Sequence, residues 1–363
     1  MRQPALTEQQ LFHQFMESLR ELPGVVAGPQ DPRYAVGERM LDAGIELVIA
    51  NKPVVLLIET RKAVFPRDVQ QMLWRLREPA REGRTGQGEG TSLPLLIAGA
   101  ISPGAKELLR NERIGYYDSG GSLYLPVPGA YIDIDKPAPK ALAKSIPSLF
   151  TQRRAQVLHT LLTYHQTWFG VTKLAELAMV SPATTWQVLT GLERLDWLAV
   201  RGKGPGKQRR LREPTSLLDA WSRHLTAIGP PTLRRYFVPG SKGAALATRI
   251  GLGFHSHGVD YAISHEAAAQ HYAPFLSSIA QVRVRVLIGT NADTAIGNLD
   301  ARVVNEGANL VIIDTSSPGE LLFRERVDGL WFASPIHVYL DLLAGEGRAK
   351  EMADHFRKQR VGF

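Results

Sequence analysis

Two periods of apolar spacing divide the first 137 residues into helices and strands. The positions Leu11, Phe12, Phe15 and Leu19 share one helical face and predict an amphipathic helix over Glu8–Leu22. The other predicted elements are strands at 44–50, 54–59, 94–98, 116–118 and 122–125, a helix at 66–77, and a helix that Ser102-Pro103 begins. Because helices and strands are interleaved, residues 1–137 are predicted to form a mixed α/β domain.

A segment rich in Pro, Ala and Lys, residues 138–149, is predicted to be a linker. Three helical patterns follow it, at 151–164, 171–178 and 182–195. After the third helix, the spacing of apolar residues changes to the alternation typical of strands. This predicts a hairpin with strands at 197–201 and 208–212 and a glycine-rich turn between them. This order is typical of a winged helix-turn-helix, so residues 150–225 are predicted to be a winged-helix DNA-binding domain.

The remaining chain, residues 236–363, mixes both kinds of pattern and predicts a C-terminal α/β domain. Its predicted strands are 282–288, 309–314 and 329–332, and its predicted helices are 264–271, 334–343 and 346–359. The run Ser264-His265-Glu266 is interpreted as a helix start, with Ser264 as the N-cap, because catalytic triads are assembled from separated segments. His255, His257 and His265 lack the spacing of metal ligands.

The formal net charge of +8 favours a polyanionic partner, first of all nucleic acid. The absence of cysteine excludes disulfides and thiolate chemistry. No signal peptide or membrane-spanning run is recognised, and a cytoplasmic location without membrane contact is expected.

Double-stranded DNA is the predicted partner of the winged helix. The third helix would face the major groove, and the hairpin would contact phosphates. The candidate DNA-binding residues are Thr184, Thr185, Gln187, Arg194, Arg201, Lys203, Lys207, Arg209 and Arg210. The alternative is a winged helix that contacts protein, with its cations as a solvated face.

Two carboxylates in the first region raise the alternative of a DNA nuclease. Glu46 and Glu59 lie in consecutive strands and could hold Mg²⁺, with Lys62 as a third catalytic group. The segment resembles the restriction-endonuclease-like fold, whose signature is an acid followed by Glu-x-Lys. Arg61 stands at the lysine position here, which favours a scaffold that needs no cofactor over an active enzyme.

The run Ser334-Pro335-x-x-x-Tyr339-Leu340-Asp341-Leu342-Leu343 carries a second resemblance. From about Phe150 onward the chain is similar to the AbiEi family of type IV toxin–antitoxin antitoxins. That resemblance implies a transcriptional regulator that represses its own promoter and opposes a nucleotidyltransferase-type toxin. The nuclease-like region before residue 138 is absent from the short members of that family.

Overall fold

A computed structural model describes residues 7–32, 35–36, 39–40, 43–49, 52–73, 91–127, 131–137, 147–228, 232–276, 278–345 and 347–363. The chain is a mixed α/β protein that divides into two compact units. The first unit comprises 1–148 with 190–196, and the second comprises 149–189 with 197–363. The ranges predicted as separate domains, 150–225 and 236–363, therefore belong largely to one unit.

The first unit is built on one mixed sheet. Its elements are α1 (Glu8–Arg20), β1 (Val25–Pro32), β2 (Ala35–Val36), β3 (Arg39–Met40), β4 (Ala43–Ile49), β5 (Lys52–Arg61), α2 (66–73), β6 (Thr91–Ala98), α3 (Pro103–Asn111), β7 (Gly115–Asp118), β8 (Leu123–Leu125) and β9 (Ile132–Ile134). The seven-stranded order is β1-β4-β5-β6-β7-β8-β9, in which β5, β6 and β7 run parallel. The predicted loop at 78–90, the end of the predicted helix at 74–77 and most of the predicted linker lie outside the described residues.

Alternation along the strands gives this sheet two apolar faces. Leu56 and Leu95 pack with Leu11, Phe15 and Leu19 of α1 on one face. On the other face, Leu96 and Tyr116 pack with residues of α2 and α3. Helix α3 begins as predicted, with the Ser102 hydroxyl accepting a 3.3 Å hydrogen bond from the Ala105 amide and proline in its first turn.

The second unit opens with helices and a hairpin. In chain order these are α4 (Gln152–Thr163), α5 (Val171–Leu177), α6 (Pro182–Arg194), β10 (Leu198–Arg201), β11 (Gln208–Leu211) and α7 (Pro214–Ile228). Residues 190–194, at the end of α6, count with the first unit. The three helices and the two strands predicted here are present within one or two residues. Their shared core includes the buried side chains of Leu158, Leu174, Val188 and Leu198.

A second seven-stranded sheet completes this unit. Its elements are β12 (Leu233–Phe237), α8 (Gly243–Ser256), β13 (Tyr261–Ser264), α9 (His265–Tyr272), β14 (Val282–Leu287), α10 (Thr290–Gly297), β15 (Arg302–Val303), β16 (Leu310–Thr315), β17 (Glu325–Val327), β18 (Leu330–Phe332), α11 (Pro335–Leu343), α12 (Ala349–Phe356) and a π-helical turn (Arg357–Val361). The strand order is β15-β12-β16-β14-β13-β18-β17. Helices α9, α11 and α12 pack together, and Asp341 of α11 reaches the sheet face that bears Arg285.

Among the described residues, no helix combines the length and the apolar character needed to cross a bilayer.

Candidate nucleic-acid interface

The hairpin β10–β11 sorts its basic side chains onto two faces. Leu198 pairs with Leu211, and Arg201 pairs with Gln208, in an antiparallel register. Because side chains alternate along a strand, Arg201 and Arg210 lie on the face opposite to the one with Leu198 and Leu211. The backbone of Phe169 pairs with Arg209 and extends this small sheet by one residue.

Trp168 holds two of the cations in place. The guanidinium carbon of Arg201 lies 4.5 Å from the centroid of the Trp168 ring, and that of Arg210 lies 5.1 Å from the same ring. Arg201 also donates a 2.8 Å hydrogen bond from Nε to the Gln208 side chain. Cation–π contacts restrict both arginines without neutralising them. The result is a positively charged face with few alternative side-chain positions, which we call the Trp168 face (Trp168, Arg201, Arg210).

The turn of the hairpin needs glycine. Gly202 has φ of +74°, and a Cβ atom there would lie 2.7 Å from the Gly206 carbonyl oxygen. Lys203 in this turn is exposed, and Lys207 is partly buried. The tight turn therefore leaves Lys203 exposed at the end of the hairpin.

Two of the predicted DNA-binding residues are placed wrongly for that role. Arg209 is 4 % exposed because it lies on the apolar face of the hairpin with Leu211. Thr185 is fully buried in α6. Thr185 was expected on the exposed face of the third helix and Arg209 among the phosphate contacts of the hairpin, whereas the helix and strand periods place both side chains in the core.

The exposed face of α6 carries a side chain that sequence reasoning missed. Trp186 is 54 % exposed and stands next to Gln187, which is also exposed. Gln187 accepts a 3.1 Å hydrogen bond from Arg154 of α4. Thr184 is partly buried, with its backbone amide 3.2 Å from the Ser181 hydroxyl that caps the helix.

Arg194, another predicted DNA-binding residue, is exposed in the last turn of α6. The missed tryptophans had a weak sequence signal, namely aromatic residues among basic and polar ones. The arginine partners of Trp168 come 33 and 42 positions later in the chain, so no local pattern identifies that contact.

The carboxylates of the nuclease alternative do not meet in the first unit. Glu46 of β4 pairs with Val55 of β5, so Glu59 lies four residues farther along the strand. At about 3.3 Å per residue, this is a displacement of about 13 Å, too far for both to hold one ion. The Glu59 carboxylate lies 2.6 Å from the Arg61 guanidinium, and Lys62 is exposed.

Among the described residues, no three histidine, aspartate or glutamate side chains gather as a metal site. A role for Mg²⁺ therefore stays a sequence prediction to which the geometry adds no support.

A buried charge pair occupies the C-terminal sheet of the second unit. Arg285 donates from Nε to the Asp341 carboxylate at 2.9 Å, and Ser264 donates its hydroxyl to the same carboxylate. Burial alone would raise the pKa of Asp341, but Arg285 outweighs it and holds that pKa well below its ordinary value. Ser264 is the N-cap residue of α9, as predicted, yet its side chain does not cap the helix. The expected capping bond is replaced by the bond to Asp341.

The 334–343 run that carries the antitoxin resemblance supplies several of these buried contacts. Ser334 caps α11, and its hydroxyl lies 2.6 Å from Nε2 of His159 in α4. The hydroxyl of Tyr339 accepts a 3.0 Å hydrogen bond from Arg357, which also donates to Asp219 of α7 at 2.6 Å. The polar residues of this run therefore join the C-terminal helices to α4 and α7.

Comparisons of the chain with protein-family models, with curated proteins and with solved structures find no match.

Proposed function

We propose that this protein is a DNA-binding regulator whose winged helix, residues 150–225, binds the duplex. The observation that carries this is the Trp168 face, where Arg201 and Arg210 pack on one indole ring at 4.5 and 5.1 Å. Guanidinium groups match the geometry of phosphate oxygens, and fixed guanidinium groups lose little rotamer freedom when they bind. A phosphate backbone is therefore the best-fitting partner of this face.

Helix α6 supplies the second half of the proposed interface. Its exposed face offers Trp186 and Gln187, which combine an aromatic surface with a hydrogen-bonding amide. Gln187 can pair with the edge of an adenine in the major groove, and an exposed tryptophan commonly marks a contact surface. In this arrangement α6 reads bases and the hairpin contacts the neighbouring backbone.

Fluorescence anisotropy with a labelled duplex at several salt concentrations tests the proposal. The triple variant R201A/K203A/R210A should bind more weakly, and the slope of log K against log[salt] should become shallower by about 3, at about 0.9 per lost phosphate contact. The matched control is K242A/K350A/K358A, which removes the same charge from exposed positions outside the hairpin.

Equal losses in both triple variants would mean that only net charge matters, and this result would overturn the proposed interface. Absence of duplex binding by the unaltered protein would favour the alternative in which the hairpin contacts protein. Q187A should reduce discrimination between sequences while leaving the salt slope unchanged, because base contacts carry no counterion release.

An antitoxin role is the narrower form of the same proposal and rests on the resemblance of the 334–343 run. It predicts that cells expressing a nucleotidyltransferase toxin encoded beside this protein grow again when the protein is co-expressed. R201A/K203A/R210A should still restore growth if the C-terminal region opposes the toxin. Growth arrest that persists with the unaltered protein would leave regulation by DNA binding as the whole function.

A further inference from the structure

A cavity of about 320 Å³ opens on the face of the C-terminal sheet that bears Arg285. Its polar lining includes Arg235, Arg283, His265, Gln281, Asn305 and Asp341. Aliphatic side chains of β12 and β16 (Leu233, Val311 and Ile313) form part of the wall. The volume falls in the range of small-molecule sites and is about ten times the volume of a water molecule in the liquid.

The strand register brings two arginines to this cavity from either side of β16. Arg235 of β12 pairs with Val311, and Val311 pairs with Arg283 of β14. Residues paired across strands project from the same face, and neighbouring strands lie about 4.8 Å apart. The stems of Arg235 and Arg283 therefore rise about 10 Å apart with Val311 between them. Two guanidinium groups at this spacing can approach one anion from both sides.

The described lining of the cavity carries a net positive charge once the ion pair between Asp341 and Arg285 is counted. The carboxylate of Asp341 is neutralised by Arg285. Nε of Arg283 donates a 2.9 Å hydrogen bond to the neutral side chain of Gln281, which directs the guanidinium without cancelling its charge. Arg235 is exposed at the edge of the cavity. Among the described residues of the lining, Asp341 is the one carboxylate, and it does not neutralise the two remaining cations, Arg235 and Arg283.

His265 adds a buried polar atom that calls for a partner. The residue is 5 % exposed, and within the described parts of the chain its Nδ1 atom has no hydrogen-bond partner. The nearest carboxylate oxygen, on Asp341, is 3.9 Å away. Its backbone has φ of +52°, an unfavourable conformation for a residue with a side chain. Buried polar atoms are usually satisfied in folded proteins, so this imidazole nitrogen is available to a ligand that enters the cavity.

We propose that this cavity binds a small phosphate monoester, with its phosphate held between Arg235 and Arg283 over Val311 and its organic part directed past Arg283 towards His265. Two unneutralised cations match a dianionic phosphate better than a singly charged carboxylate. A cavity of this volume suits a small molecule better than a nucleic-acid backbone. The site is separate from the Trp168 face and does not depend on DNA binding.

Isothermal titration calorimetry of the full chain with adenosine monophosphate, glycerol 3-phosphate and inorganic phosphate tests this site. Adenosine and acetate serve as probes that lack a phosphate. At least one phosphate ester should bind at millimolar concentration or below, and more tightly than adenosine or acetate. R235Q and R283Q should each weaken that binding by about tenfold, as expected for the loss of a charge-assisted contact.

R302Q removes an exposed arginine from edge strand β15 of the same sheet and should leave binding unchanged. H265N removes the imidazole, and asparagine tolerates the positive φ at this position. This variant should lose more affinity for the ester than for inorganic phosphate. The proposal would be overturned if no phosphate compound bound at 5 mM, which is about the weak limit of a specific small-ligand site. It would also be overturned if R302Q weakened binding as much as R283Q does. Competitive displacement of the ester by a DNA duplex would be a third contrary result.

Discussion

Lowering the pH from 6.5 to 4.5 should strongly destabilise the second unit. His159 is 1 % exposed and His265 is 5 % exposed. Burial lowers the pKa of both side chains from the ordinary 6.5, that of His159 well below this value and that of His265 to about 4. The unfolded chain therefore binds protons at these positions in this pH window while the folded chain does not. Stability is retained above pH 6.5 and falls as the pH drops towards 4.

The magnitude follows from proton counting. Each extra proton bound by the unfolded state lowers the free energy of unfolding by up to about 1.4 kcal/mol per pH unit. Two histidines give a slope of about 3 kcal/mol per pH unit near pH 5 and a loss of about 4 kcal/mol between pH 6.5 and 4.5. His337 packs on His159 with 4.1 Å between ring centroids, and burial lowers its pKa to about 3, so it adds in the same direction.

Urea denaturation between pH 4.5 and 7.5, followed by tryptophan fluorescence, measures this slope. Five of the six tryptophans lie in residues 149–363, so the signal reports mainly on the second unit. H159Q should reduce the slope by about 1.4 kcal/mol per pH unit, since one proton no longer distinguishes the two states. H255Q replaces an exposed histidine and is the control. An H159Q slope equal to that of the unaltered protein would refute the reasoning.

Three further substitutions test the packing by the same denaturation measurement. D341N should lower the free energy of unfolding by about 3–5 kcal/mol because it leaves the buried Arg285 unpaired. D260N removes a carboxylate from an exposed ion pair and should lower it by about 1 kcal/mol or less. Similar losses in the two variants would contradict the assigned burial. G251A should lower the free energy of unfolding by about 1–3 kcal/mol, since the new Cβ would lie 2.2 Å from a methyl group of Leu330. The control G297A adds a methyl group in open space and should leave the free energy of unfolding unchanged or raise it. S102A should lower the free energy of unfolding of the first unit by about 1 kcal/mol because the cap of α3 is lost. Urea denaturation of this variant is followed by far-UV circular dichroism. An unchanged free energy of unfolding would show that the cap is dispensable.

The sequence predicted elements whose residues share one local period. The helix α1, the hairpin β10–β11 and the helix at 335–343 fall within a few residues of their predicted bounds. Helix α8 was missed because three glycines in Gly243–Ser256 lower its intrinsic helix propensity. Its buried face, with Leu246, Ile250 and Phe254, shows that packing against the sheet outweighs that propensity.

The candidate site was only partly predictable for a different reason. Lys203 and Arg201 could be predicted as exposed cations because a glycine-rich turn must lie at the surface. The burial of Arg209 depends on which strand face meets the core, and a shift of one residue reverses that choice. The partner of Ser264 is Asp341, 77 positions later in the chain. A contact across that distance is determined by the assembled sheet and has no local signature.

The hydrogen bond between His159 and Ser334 has a consequence for how this protein can diversify. Helix α4 contacts strand β11 of the hairpin and also helix α11, at whose start Ser334 lies. The buried His159 side chain of α4 is hydrogen-bonded to Ser334 of the C-terminal region. The segment from α4 to β11 is therefore not an independent module that could be moved to another protein. Transplanted alone, it would expose an imidazole and an apolar surface to water. Recombination that keeps the second unit intact must therefore carry residues 149–363 together.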